Sequence, residues 1–243
     1  MGLATTILRS KAVAALTFPQ GVDRYLEQVN PMWAAHEVRA RIVDIHREVE
    51  VPGHPPVATI TLQPTSTWQG HRAGQHVQLG VEVDGSRRTT RVFTISSPDS
   101  RHGDRFTVTL RANPEGVVSR YLVERATPGT MVHLSQAQGE FVLPDQMPEH
   151  VLFISGGSGI TPVMSMLRTL AKRDQIGDIE HVHSVPTGDD VMFAAELAEL
   201  ATRHPGYRLR IRETRSQGRL DPGRIGDEVA DWRHRQTWAC GPE

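Results

Sequence analysis

The sequence predicts two joined folding units, an antiparallel β-barrel followed by a parallel sheet covered by helices. Three observations point there. Between residues 38 and 145, short β-type runs recur with glycine and proline between them, the rhythm of a closed antiparallel barrel. From residue 150 the pattern changes to strand, helix, strand, helix, which implies a parallel sheet because parallel neighbours are joined by crossovers. The apolar run Val151-Leu152-Phe153-Ile154 leads into Gly156-Gly157-Ser158-Gly159-Ile160-Thr161-Pro162. Glycines between a buried strand and a helix leave bare amides at the helix N-terminus, where a diphosphate can approach closely.

Taken in order, residues 1–37 read as a partly helical lead-in, containing Asp23-Arg24-Tyr25-Leu26 and Asn30-Pro31-Met32-Trp33, whose aromatics would dock on the main body. Residues 38–146 hold the barrel strands: Val38 to Val43, Ala58 to Leu62, His76 to Val83, Arg91 to Ile95, Phe106 to Leu110 and Met131 to Leu134. Each has the length and β-branched or aromatic content of a strand. One helix, near Val117 to Arg125, interrupts them, and Pro128-Gly129 turns the chain back into strand. The boundary falls near Pro144 to Pro148. Residues 147–243 then alternate: strands Val151 to Ile154, Ile179 to Ser184, Arg208 to Glu213 and Trp238 to Cys240, with helices Pro162 to Arg173 and Met192 to Arg203.

Composition narrows the function classes. A chain of 243 residues can bury one or two ordinary cores. A formal charge of -1 with 38% hydrophobic residues suggests neither a nucleic-acid partner nor disorder. The single cysteine excludes an internal disulfide, and it excludes an iron–sulfur cluster held by this chain alone, which takes about four thiolates. No apolar run approaches the roughly 20 residues that span a bilayer, and Ala12 to Phe18 is too short and poorly flanked for a signal peptide. A cytoplasmic location in a reducing compartment is expected. All but two of the 27 basic residues are arginine, so arginine enrichment at one spot carries less weight than usual.

Several residues carry chemistry by type and spacing. Arg91 on a strand offers a guanidinium fork suited to phosphate, and Phe93, two residues on, shares its face and can lie against a flat ring. Thr94 points to the other side. Gly116 to Ser119 starts a helix after a strand and turn, so its amides and the Ser119 hydroxyl can meet an anion. The loop at Gly156 is not the three-glycine dinucleotide fingerprint, because Pro162 stands where the last glycine would be, a residue that suits a helix's first turn. His181 and His183 share a strand face but lack the third and fourth ligands zinc needs, so no metal site is expected.

In order along the chain, Arg91-Val92-Phe93-Thr94-Ile95-Ser96-Ser97-Pro98, Val108-Thr109-Leu110-Arg111, Gly116-Val117-Val118-Ser119, the glycine loop and Cys240-Gly241-Pro242 form a series that resembles the ferredoxin-NADP reductase family of flavoproteins. The resemblance covers roughly residues 38 to 243. It implies an antiparallel flavin-binding β-barrel followed by a parallel α/β nucleotide-binding domain. By the same resemblance, Arg91 holds the flavin diphosphate, Phe93 packs on the isoalloxazine and Thr94 sits by the reactive flavin nitrogen. Phenylalanine replaces the commoner tyrosine, which removes one hydroxyl contact and keeps the stacking surface. Gly116, Val117, Val118 and Ser119 would serve the flavin diphosphate, and the backbone at Val108, Leu110 and Arg111 the ring and its substituent. Gly156, Gly157, Ser158, Gly159, Ile160, Thr161 and Pro162 would hold the nicotinamide nucleotide's diphosphate, while Cys240, Gly241 and Pro242 align the hydride donor. Thr94 and Cys240 are thus the residues expected at the point of hydride transfer. Ser184 falls where a ribose 2′-phosphate is read. Many NADP-using relatives place an arginine two residues later, where this chain has Pro186, and Arg215 and Arg219 could supply that charge. FAD is expected over FMN, and NADPH modestly over NADH.

The implied activity is hydride transfer from NAD(P)H to FAD, with electrons passed to an iron–sulfur carrier; position and electrostatics suffice, and no side chain need act as a strong acid or base. A lead-in like residues 1–37 precedes the reductase portion in members that serve fatty-acyl desaturases, so the expected partners are a ferredoxin or ferredoxin-like domain and a downstream desaturase or oxygenase. The reductase component of a ring-hydroxylating or nitric-oxide-detoxifying system is a second reading. Because the chain stops at Glu243, where relatives continue with a helix, the nucleotide domain is expected to be C-terminally incomplete. A flavin-binding electron-transfer module, or a remnant without nucleotide turnover, is a third reading.

Overall fold

The structure is a computed structural model that describes residues 7, 8, 10–18, 21–83, 85 and 87–242. The first rhythm of the sequence becomes a six-stranded antiparallel sheet built from β1 (Val38–Val49), β2 (Val57–Pro64), β3 (His76–Val81), β4 (Thr89–Thr94), β5 (Phe106–Arg111) and β6 (Met131–Leu134), in the order β4-β3-β6-β1-β2-β5. A bridge between Ile95 and Val108 joins the end of β4 to β5 and curls the sheet into a barrel. Its interior is filled by Ile42, Ile60, Leu62, Leu79, Ile95 and Val108, and Trp68 stacks on Phe106 with centroids 4.7 Å apart. The barrel helix α3 (Val117–Arg120) runs directly into a π-turn over Tyr121–Arg125.

Two differences from the sequence expectation have clear causes. β1 reaches Val49 rather than Val43, because its register shifts twice, at Ile42/Asp44 and Arg47/Val49; each irregularity breaks the period-2 pattern that marks a strand. The lead-in helices α1 (Lys11–Leu16) and α2 (Val22–Val29) do not lead into docked aromatics: Tyr25 and Trp33 are 48% and 53% exposed. Docking is polar instead. The buried Asp23 carboxylate accepts the amides of Ala35, His36 and Glu37. The Arg39 guanidinium, buried on β1, ion-pairs with Glu27 at 2.9 Å and donates to the Trp33 carbonyl at 2.6 Å. Buried charge of this kind is retained only when paired, so this part of the lead-in is fastened to the barrel.

The second rhythm becomes a parallel four-stranded sheet of β7 (His150–Gly156), β8 (Asp178–Val185), β9 (Tyr207–Glu213) and β10 (Gln236–Cys240), ordered β10-β7-β8-β9. Helices α4 (Ile160–Lys172) and α5 (Ala194–Arg203) pack on one face through Val163, Leu167 and Leu197 against Phe153, Tyr207 and Trp238. The other face buries Leu152 and Val182 under Ile225 and Val229, from α7 (Ile225–Glu228) and its exit, with α6 (Thr214–Gln217) between. Helices of one turn are too short to show a 3.6-residue period, and the sequence pattern passed over both. Glu243 lies outside the described residues.

The two sheets share a seam along α4. Ser165 Oγ donates to the Ser97 carbonyl at 2.6 Å, Thr169 Oγ1 accepts the Asp99 amide at 2.9 Å, and Arg168 donates to the Ser96 carbonyl at 2.7 Å. Barrel residues Val49, Val57 and Ala73 join the apolar cluster of the parallel sheet. Burial across this seam fixes one side of a cleft.

Candidate functional site: the cleft between the two sheets

A cavity of about 790 Å³ opens between barrel and parallel sheet. On the barrel side Arg91, Phe93 and Thr94 border it from β4, Leu110 and Arg111 from β5, and Gly116, Val118 and Ser119 from the start of α3. Register with β3 pairs Leu79 with Arg91 and Val77 with Phe93, which puts both on one face. The Phe93 ring is half-buried against the barrel core and turns its remaining surface outward. The exposed Arg91 guanidinium donates to the Thr90 carbonyl at 2.9 Å, leaving donors for an anion. Ser119 Oγ accepts the Asn113 amide at 3.1 Å and so braces the turn before α3; Asn113 and Pro114 of that turn also border the cavity, a contribution the sequence did not signal.

The facing wall is the glycine loop. β7 ends at Gly156, Gly157–Gly159 makes a tight turn, and α4 begins at Ile160 with no side chain capping its N-terminus. The Ile160 amide donates back to the Gly157 and Ser158 carbonyls of that turn. Thr161 Oγ1 donates to the Ser158 carbonyl at 2.9 Å, and Pro162 occupies a first-turn position that needs no N–H. Parallel pairing sets Cys240 opposite Ser155, so Cys240, Gly241 and Pro242 run along the loop and border the cavity beside Gly156, Gly157, Ser158 and Gly159. Burial pushes the Cys240 thiol up, which keeps it neutral at ordinary pH.

Not every residue singled out by sequence reaches the cavity with its side chain. Val108 and Ile160 are fully buried in the two cores, Pro162 is buried, and Val117 is 48% exposed outside. Ser184, next to last in β8, lies between Gly156 and Arg212 in register; its hydroxyl is buried without a hydrogen-bond partner. Arg215 and Arg219 are exposed and do not border the cavity, though the Arg215 amide donates to the Pro186 carbonyl at 3.2 Å and brings α6 against the loop after β8.

Two structural clusters lie beside these residues, the first without a sequence signal and the second around the histidine pair. Asp190, buried in that loop, takes Arg111 at 3.2 Å, His54 at 2.9 Å and Thr187 at 3.0 Å. Burial opposes its charge, yet the hydrogen bonds from His54 and Thr187 and the Arg111 charge hold its carboxyl below the usual range. Beneath the glycine loop, Ser155 Oγ lies 2.8 Å from both His181 Nε2 and His183 Nδ1, and His181 Nδ1 lies 2.7 Å from the Tyr207 hydroxyl. The histidine pair is thus part of a buried hydrogen-bonded chain, and among the described residues no group of three or more His, Cys, Asp or Glu could hold a metal.

Comparison with known proteins agrees with this architecture. Residues 54–143 match the oxidoreductase FAD-binding domain and residues 153–243 the oxidoreductase NAD-binding domain. The chain is 52% identical over 235 residues to an NADPH oxidoreductase of Mycobacterium tuberculosis, covering 96% of this chain and 60% of the relative. It is 33% identical over 181 residues to the glycine betaine monooxygenase reductase subunit of Chromohalobacter salexigens, covering 70% of this chain and 49% of that relative. It therefore spans only half to three-fifths of the length of these relatives. Among solved structures, ferredoxin-NADP+ reductase from Plasmodium falciparum superposes with a TM-score of 0.67 at 17% identity, over 83% of each chain, which speaks to the fold. With a barrel and a parallel sheet facing one cleft, and FAD-binding and NAD-binding domains matched in that order, the chain belongs to the ferredoxin-NADP reductase family.

Proposed function

We propose that this chain is an NAD(P)H-dependent flavoprotein reductase that moves a hydride from the nicotinamide to FAD and passes electrons to an iron–sulfur carrier serving an oxygenase or a fatty-acyl desaturase. The observation that carries the reading is a single cavity with Arg91, Phe93 and Ser119 on one wall and Gly156–Gly159 with Cys240 on the other. Its volume suits planar cofactors. Among the described residues bordering it no carboxylate stands, and Arg91 keeps guanidinium donors free of any carboxylate partner, a charge balance fitted to a diphosphate. FAD, when bound, supplies the exchange between two-electron and one-electron transfer.

In this reading the Arg91 fork and the amides at Gly116 to Ser119 bind the flavin diphosphate, and Phe93 packs on the ring beside Thr94. The uncapped start of α4 receives the nucleotide diphosphate, and Cys240, neutral and half-buried, packs where the nicotinamide must lie. Similarity to the mycobacterial NADPH oxidoreductase supports NADPH, similarity to the betaine monooxygenase reductase subunit supports an oxygenase system, and the resemblance of the lead-in supports the desaturase branch. A cytosolic setting suits a chain with one free thiol; no described helix is long and apolar enough to cross a membrane.

An anaerobic absorbance titration of the FAD-loaded chain with NADPH and then NADH tests the proposal. Bleaching of the flavin band by either nucleotide is the expected result. Yellow colour that persists leaves a flavin-binding module without turnover, and failure to retain FAD rejects the reading. For the 2′-phosphate, Arg215 is exposed beside the loop that follows Ser184. Losing one charge-assisted hydrogen bond there should raise the KM for NADPH by about tenfold in Arg215→Ala while leaving NADH unchanged. Equal effects on both nucleotides remove Arg215 from that role.

A further inference from the structure

We infer that Asp190 is a positioning residue: with Arg111 and His54 it forms a latch that sets the spacing between the barrel wall and the glycine loop. This rests on the hydride-transfer reading of the cleft and adds a residue to it. The cleft is held on one side by the α4 seam through Ser165, Arg168 and Thr169. The latch is a separate tie at the cavity itself, since Arg111 borders the cavity and reaches across to the opposite unit.

The chemistry of Arg111 favours this role over an anion contact. One guanidinium nitrogen bonds Asp190 Oδ1 at 3.2 Å and the other points to the Asp190 carbonyl at 3.4 Å, so its fork is already engaged by one residue. Asp190, 3% exposed, is saturated in turn: Oδ1 also takes His54 at 2.9 Å and Oδ2 takes Thr187 at 3.0 Å. His54 comes from the turn between β1 and β2, so two barrel segments converge on one carboxylate. Just beyond Asp190 the chain passes through Phe193, held at a φ of +60°. Arg168 lies over the Phe193 ring at 4.8 Å while it donates to the Ser96 carbonyl of the barrel. Residues 187–193 are therefore a strap, tied to the barrel at Asp190 and to the α4 seam at Phe193. A strap anchored at both ends resists opening of the cleft, and transfer between two rings loses rate steeply when their separation grows by about 1 Å.

The test uses Asp190→Asn, which keeps shape and removes the charge, Arg111→Lys, which keeps charge and removes the fork, and the double variant. Amide hydrogen exchange without cofactor is read first. Segments 50–56 and 187–193 should exchange about tenfold faster in each single variant, with little further change in the double, because both break one contact. In the FAD-loaded proteins, flavin bleaching at saturating NADPH should slow at least tenfold. The long-wavelength charge-transfer absorbance of stacked rings should fade, with FAD affinity within about twofold of the parent. Unchanged exchange in 187–193, or normal bleaching despite faster exchange, overturns the positioning role. A parent protein that never bleaches defeats the reductase reading alone, and the latch is then decided by exchange. If Asp190→Asn does not fold, Arg111→Lys carries the same comparison.

Discussion

Gly159→Ala is expected to abolish nucleotide-dependent bleaching of the flavin and to cost the fold about 3 kcal/mol, while Gly157→Ala, two residues away, costs only about 1 kcal/mol. Backbone preference alone gives the opposite order: Gly157 has a φ of +51°, where side chains are strained, and Gly159 has an ordinary −64°. Space decides otherwise. A Cβ on Gly157 meets nothing within 4 Å, whereas one on Gly159 stands 2.2 Å from the Cys240 carbonyl oxygen and 2.8 Å from the Gly241 amide nitrogen. Those are backbone atoms of a strand end and cannot rotate away, so Cys240, Gly241 and Pro242 must shift by roughly an ångström. That segment borders the cavity, and a displacement of this size is enough to remove hydride transfer. Urea unfolding and stopped-flow reduction of the two variants give the comparison. Wild-type bleaching in Gly159→Ala would mean the close approach of loop and strand end is not needed.

The same crowding explains why the glycine loop was legible in the sequence. An apolar run ending in glycines marks a place where a strand, a helix and a neighbouring backbone converge, and only that geometry demands glycine at position 159. The order of barrel and parallel sheet was legible for a related reason. Strands buried on both faces, such as β7, read as continuous apolar runs, and half-buried strands as alternation. The arginine motif, the Gly116 turn and the cysteine motif are local signals, and the fold draws them to one cavity. What stayed hidden is long-range or irregular. Nothing in the residues around Asp190 announces His54 and Arg111, because three polar residues far apart in sequence become a unit only after the sheets pack. The bulged half of β1 lost its alternation, and the lead-in aromatics Tyr25 and Trp33 drew attention that belonged to Asp23 and Arg39. Ser184 and Arg215 sit near the β8 exit and, like Arg219, off the cavity wall, so residue type and strand position could not fix their place.

The buried histidines should make the protein labile in mild acid, well above the range where carboxylates titrate. Ser155 has one hydroxyl proton, so it donates to one imidazole and accepts from the other. With a second proton, His183 would hold a charged N–H on Nε2, which is buried without a partner, and His181 would carry donors on both nitrogens, so that Ser155 and Tyr207 must each accept from it beside the neighbouring His183. Burial accordingly pulls His183 down to about 4, and pulls His181 well below its ordinary value with the His183 charge adding to the effect. In the unfolded chain both titrate near the usual value of about 6.5. The folded state therefore binds fewer protons: its stability is fully present above about pH 6.5 and is lost as pH falls toward 4. Between pH 7.5 and 5 His183 alone removes about 2 kcal/mol, and His181 acts in the same direction. Asp178, held low by burial-opposed hydrogen bonds from Arg235, His150 and Arg208, loses its contribution only below that window. Urea midpoints measured across this range should fall steeply for the parent protein and clearly less for His183→Gln, which keeps a hydrogen bond to Ser155 without taking up a proton. A midpoint that stays level from pH 7.5 to 5, or an identical slope in the variant, would show that the chain under the glycine loop accepts charge.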